Sequence, residues 1–174
     1  MVCLDGERDQ TGPVKKPVAS LISCAALLLA GCGRQEAAPA GATAAAPGPR
    51  IVEITANDMM KYSVTAIQAA PGEDLVVELA NIGALPKETM SHNWVLLKAE
   101  ADAGAFSNAA VAAKATDYLP AALADEVIAH IAMLGPGQSG KVEFRAPSAP
   151  GDYPFLCTFP AHYQVGMKGI LTVK

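Results

Sequence analysis

Near its C-terminus the chain reads CTFPAHYQVGM, which places Cys157, His162 and Met167 at equal steps along one stretch. A thiolate, an imidazole and a thioether are donors of graded softness, and soft sites select particular metals. A thiolate and an imidazole from one loop suit zinc. Zinc sites, however, are built from cysteine, histidine and carboxylate, not from methionine.

Cysteine with two histidines and a weak axial thioether is the blue-copper donor set. Cu(I) favours soft, low-coordinate sites, whereas Cu(II) favours nitrogen and tetragonal geometry, so this set suits both oxidation states in part. Pro160 lies inside the loop, where its ring stiffens the backbone and removes a donor. A second histidine must come from elsewhere. The chain has three: His92 in MSHNW, His130 in VIAHIAM, and His162.

MSHNW taken with CTFPAHYQVGMKGIL resembles the cupredoxin family, and within it the azurins and auracyanins. ANDMM, LPKETMSHNWVL, DYL at 117–119 and VIAH at 127–130 extend the resemblance in order over nearly the whole of 51–174. Four residues fill each gap between Cys157, His162 and Met167. The azurin branch has one fewer before its methionine, so the loop is closer to auracyanin.

The resemblance implies one type 1 copper ion held by His92, Cys157, His162 and Met167. The carbonyl of Ser91 would approach as a weak axial contact from the side opposite Met167. Asn93 would tie the two ligand loops together through its amide. Backbone amides near Asn93 and Phe159 would donate to the sulfur and raise the reduction potential. His130 would lie on the surface, away from the metal, while Trp94 and Tyr163 would pack. Met60, Leu85, Met90, Pro160 and Ala161 would ring the exposed edge of His162 as a small apolar docking patch for redox-protein donors and acceptors. No strong acidic cluster lies near Tyr153 to steer partners by charge.

The implied activity is one-electron transfer, with no small-molecule substrate and no catalysis. A second copper centre would need further histidine clusters, and a binuclear one a second cysteine. A copper-delivery protein is the alternative, but such sites are open and rich in methionine and histidine. A net charge of −4, without a clustered basic surface, argues against nucleic acid as a partner.

These residues need a rigid frame, and the patterning of 51–174 supplies one. RIVEITAND, DLVVELAN, HNWVLLK, EVIAHIAML, GKVEFRA, YPFLCTF and KGILTVK read as short strands separated by Pro/Gly turns. In DLVVELAN, Leu75, Val77 and Leu79 share one face. In GKVEFRA, Val142 and Phe144 point in while Lys141, Glu143 and Arg145 point out. Seven to eight such strands predict an all-β Greek-key sandwich, cupredoxin-like in the light of the resemblance. The alanine-rich stretch at about 101–125 predicts a short helical insertion lying as a flap on the sandwich.

The first fifty residues read differently. Lys15 and Lys16 followed by an apolar run over 17–30 have the form of an export signal, too short to span a bilayer comfortably. The run ends in LAGC, which resembles a bacterial lipobox. Residues 1–31 are therefore expected to be a lipoprotein signal, with Cys32 lipidated as the mature N-terminus and membrane anchor. The acidic residues before Val14 have no place in such a signal, so a translation start near Val14 is expected. The Ala/Gly/Pro-rich remainder of 32–50 reads as a disordered tether to the 51–174 domain. The expected location is the bacterial periplasm or cell envelope. Cys157 is the single cysteine beyond residue 32, so the domain can form no internal disulfide.

Overall fold

The computed structural model describes residues 48–174. The lipidation site Cys32, the export signal and the tether as far as residue 47 lie outside the described residues. The chain from Arg50 onward forms strands β1 (Arg50–Asn57), β2 (Lys61–Tyr62), β3 (Ala66–Ala69) and β4 (Asp74–Asn81), then the one-turn helix α1 (Lys87–Met90) and β5 (His92–Leu97). Helix α2 (Ala103–Ala110) and two 3-10 turns follow before β6 (Val127–Leu134), β7 (Ser139–Arg145), β8 (Gly151–Leu156) and β9 (Lys168–Val173). Among the described residues no helix is long and apolar enough to cross a membrane.

The strands make a two-sheet sandwich, in the orders β2-β1-β4-β7 and β3-β9-β8-β5-β6. This is the expected all-β fold, with two strands more than the seven segments read from the sequence. Strands β2 and β3 span only two and four residues, too few for periodicity to register. In β1 and β4, Ile54, Leu75, Val77 and Leu79 face inward, each nearly or wholly buried. Opposite them lie Trp94, Leu96, Phe155 and Leu171. Each such side chain contributes about 1.5–3 kcal/mol of burial. Trp94 stacks between Phe144 and Phe155, at centroid distances of 6.0 and 5.4 Å. It packs in the core as expected.

Strand β5 is buried along all six residues, because its outer face is covered too. Val95, Leu97 and Leu156 meet Phe106 of α2 there, with Tyr163 packed alongside. The insertion is thus a cover that makes a second small core. Asp102 starts it by accepting the amides of Gly104 and Ala105 at 2.9 and 3.0 Å.

Strand direction divides the loops between two poles. At one, Arg50 bonds Glu73 at 2.6 Å and the Gln68 carbonyl at 2.6 Å, fastening the start of β1 to the β3–β4 turn. Strands β1, β4, β6 and β8 all end at the other pole, where β5, β7 and β9 begin. His92 opens β5 at that pole, and Cys157 follows the last residue of β8 there.

Gly169 tests how tightly the frame is built. A Cβ there would come within 2.2 Å of Phe155 Cζ and 2.4 Å of the Thr65 carbonyl oxygen. Phe155 is fully buried and the carbonyl belongs to the backbone, so neither can yield. Gly169→Ala is expected to lower the unfolding free energy by about 1–3 kcal/mol. Urea denaturation measures this, and an unchanged midpoint would show that the sheet relaxes freely at β9.

Candidate metal centre

His92, Cys157 and His162 converge at the loop pole, all buried, with their ligand atoms within 4.8 Å of one another. Cys157 Sγ lies 3.4 Å from His162 Nδ1. The two imidazoles face each other with centroids 5.0 Å apart. His92 Nδ1 and Nε2 are both buried and find no hydrogen-bond partner. Buried polar atoms are ordinarily satisfied, so such orphans call for an explanation. Two imidazoles and a sulfur aimed at one point fit a soft or borderline transition-metal ion.

The loop from Cys157 to Met167 is cross-braced by its own backbone. Cys157 N donates to the Met167 carbonyl at 3.1 Å, and Met167 N donates to the His162 carbonyl at 2.9 Å. His162 N donates to the Phe159 carbonyl at 3.1 Å. Met167 is fully buried and bonded at both ends to ligand-bearing residues. Ala161 holds a left-handed φ of 71°, which costs a non-glycine residue energy and turns the chain into His162.

The other half of the site is joined to this loop through Asn93. Its Nδ2 donates to Thr158 Oγ1 at 2.8 Å, and its Oδ1 accepts the Thr158 amide at 2.8 Å. The Asn93 carbonyl also accepts the buried Tyr62 hydroxyl. The pairing of β5 with β6 slips between His92 and Trp94, a bulge of the kind found beside sites. The amides of Asn93 and Phe159 donate to Cys157 sulfur. Phe159 stacks on His162 with centroids 4.8 Å apart. Ser91 is buried beside His92, and its hydroxyl donates to the Lys87 carbonyl.

Burial governs the protonation of the metal-free site. It pushes the Cys157 thiol up to about 12, against the opposing pull of the two amides. Burial, aided by His92, holds His162 down at about 4. His92 is lowered by burial too, although Asp58 and the Asn57 backbone pull it back up. The Asp58 carboxylate accepts the amides of Ala84 and Leu85 at 2.8 and 3.4 Å, fixing the loop between β4 and α1.

The residues expected to ring His162 lie at this pole, four in loops and Met90 at the end of α1, but their exposure differs. Ala161 and Leu85 are exposed, whereas Met60, Met90 and Pro160 are half-buried. Met59, Ile82 and Val165 are exposed at 73%, 63% and 44%, and the sequence reading did not single them out. Nor did it find Thr158 or Tyr62, whose partners lie 65 and 31 residues away. His130 is exposed on β6 and stands outside the ligand cluster.

Known proteins resemble this chain in sequence and fold. The model of the copper binding proteins of the plastocyanin/azurin family matches residues 50–174. Azurin of Pseudomonas fluorescens is 36% identical over 126 residues, 71% of this chain and 97% of that protein. Auracyanin-B of Chloroflexus aurantiacus is 36% identical over 78% of this chain, which spans 57% of that protein's length. Outer membrane protein H.8 of Neisseria meningitidis is 33% identical over 91% of this chain and 98% of its own. The crystal structure of reduced auracyanin from Roseiflexus castenholzii superposes with a TM-score of 0.64 at 37% identity, covering 73% of this chain and 99% of that one.

Two outcomes follow for the metal-free protein. His162 folds with its pKa lowered from the ordinary 6.5 to about 4, so between those values the unfolded chain binds more protons. Its contribution to stability is present above pH 6.5 and is lost as pH falls towards 4. Urea midpoints measured across that window should fall with acidification, and a flat profile would contradict the assignment. Cys157 holds its proton at neutral pH, so metal loading should release about one proton per ion, detectable with an indicator dye.

Proposed function

Because the chain belongs to the plastocyanin/azurin family of copper-binding proteins, we propose that it is a mononuclear blue-copper electron carrier of a bacterial cell envelope. The observation that carries this reading is the buried His92–Cys157–His162 cluster, its ligand atoms within 4.8 Å of one another. These three residues are the strong ligands. Met167 would supply the weak thioether donor, and the Ser91 carbonyl would be a further weak contact. Bound there, copper supplies a one-electron Cu(I)/Cu(II) couple.

The protein's part is to hold the donors still. The Asn93–Thr158 pair locks the β5 end to the ligand loop, and Tyr62 locks Asn93 in turn. Ligands that cannot move need little rearrangement when an electron arrives or leaves. The amides of Asn93 and Phe159 draw electron density from the sulfur, favouring the reduced state. Burial excludes water as a competing ligand.

Electrons pass at the loop pole. Exposed Met59, Ile82, Leu85, Ala161 and Val165, with half-buried Met60, Met90 and Pro160, form an apolar surface around the His162 loop. A small apolar patch suits a weak, fast-dissociating redox complex. The partners are redox proteins, and the chain acts as a carrier, not an enzyme.

Lipid on Cys32 would anchor the protein to a membrane. The LAGC stretch supports this, as does similarity over 91% of the chain to a protein named for the outer membrane. At about 5–6 Å × √n, the tether would let the domain range a few nanometres from the surface.

Titration of the purified protein with Cu(II) should give an intense blue colour at one ion per chain, with slow loss to a chelator. Cys157→Ser should abolish the colour while leaving the fold intact by circular dichroism. A colourless wild type, or rapid loss of copper to the chelator, would contradict the carrier reading. For docking, Ile82→Glu should slow electron exchange with a redox partner by about tenfold, whereas moderate salt should change the wild-type rate little. Steep salt dependence with a silent Ile82→Glu would place the docking surface elsewhere.

A further inference from the structure

The loop bearing the ligands is braced from within and, at its start, by Asn93 of β5, and a further bond reaches its far end from a strand of the other sheet. Lys61, the first residue of β2, donates its ammonium to the Val165 carbonyl, 104 residues away. Val165 lies two residues before Met167, within the gap that is one residue longer than in the azurin branch. Gly166 follows, with φ at 96°. A Cβ on Gly166 would meet Lys61 Nζ at 3.1 Å, so the ammonium occupies the space that this glycine leaves open. On its own side, Met60 turns left-handed at φ 55°, and Lys61 pairs with Asn57 across the hairpin.

We infer that Lys61 is a positioning residue for the metal loop, stapling the Val165–Gly166 peptide so that Met167 approaches the ion at a fixed distance. The inference rests on Met167 being the axial donor. Three loop bonds depend on the stapled segment: Val165 N to Ala161 O at 3.2 Å, Gly166 N to Tyr163 O at 3.0 Å, and Met167 N to His162 O at 2.9 Å. Apart from the Asn93–Thr158 pair at the start of the loop, Gln164 makes a further outside attachment. Its Nε2 reaches Ser107 and Asn108 at 3.4 and 3.3 Å, longer contacts than a strong bond and on the opposite flank. A charged donor on a backbone carbonyl makes a stronger bond than a neutral one, so the Lys61 side dominates.

The test compares Lys61→Met, which keeps the aliphatic stem, with Lys61→Arg, which keeps the charged donor. In metal-free protein, amide exchange at Val165, Gly166 and Met167 should quicken by roughly tenfold in Lys61→Met and recover in Lys61→Arg. Exchange at Leu171 in the core should not change. After Cu(II) loading, the ratio of the two visible thiolate-to-copper bands should shift in Lys61→Met and return in Lys61→Arg, in step with the loop exchange, which loss of charge at an unmoved loop would leave unchanged. Unchanged loop exchange in a blue Lys61→Met protein overturns the staple alone. So does an Arg variant that behaves like the Met variant. A wild type that never turns blue overturns the reading of the centre, and with it any role of Lys61 toward a metal.

Discussion

The site depends on keeping a sulfur and two imidazoles dry and close together. Desolvating a polar group that stays unpaired costs on the order of 1–3 kcal/mol, and the buried His92 ring meets little beyond the Asn57 backbone to offset it. Left to themselves, the loops would shift to hydrate these atoms or to pair them with backbone. They cannot, because the pole is held on several sides. Asn93 and Thr158 join the two ligand loops, Tyr62 holds Asn93, and Asp58 fixes the segment leading to α1. The sandwich beneath them, filled around Trp94 and Phe155, gives those bonds a rigid base. The site is therefore formed before a metal arrives, and the fold bears the cost.

Much of this was legible in the chain itself. Alternation in β4 and β7 announced the inner faces, and the burial of Leu75, Val77 and Leu79 follows that pattern. The ligand types and their even spacing pointed to a metal before any strand was placed. Strands β2 and β3 were not legible, because two and four residues carry no period. Yet β2 contributes Tyr62 and Lys61, both of which reach the ligand loops. Contacts of that kind join residues far apart in sequence, so no local pattern could reveal them.

The exposed apolar residues teach a related lesson. Hydrophobicity alone does not say which of Met59 and Met60 faces outward. The left-handed turn at Met60 settles it, leaving Met59 exposed and its neighbour half-buried. Likewise β5 reads as an apolar run, and the reason lies in a helix placed after it. Phe106 covers the outer face, so Val95 and Leu97 are as buried as Trp94 and Leu96.

Cys157 is fully buried, and its thiol is pushed up to about 12. Oxidants and disulfides attack the thiolate, and in the folded metal-free protein Cys157 presents almost none at neutral pH. The same desolvation that makes the sulfur wait for an ion also shelters it from sulfenic acid formation and from cross-linking to another chain. Among the described residues the one thiol can therefore persist in an oxidising space with its sulfur preserved for loading.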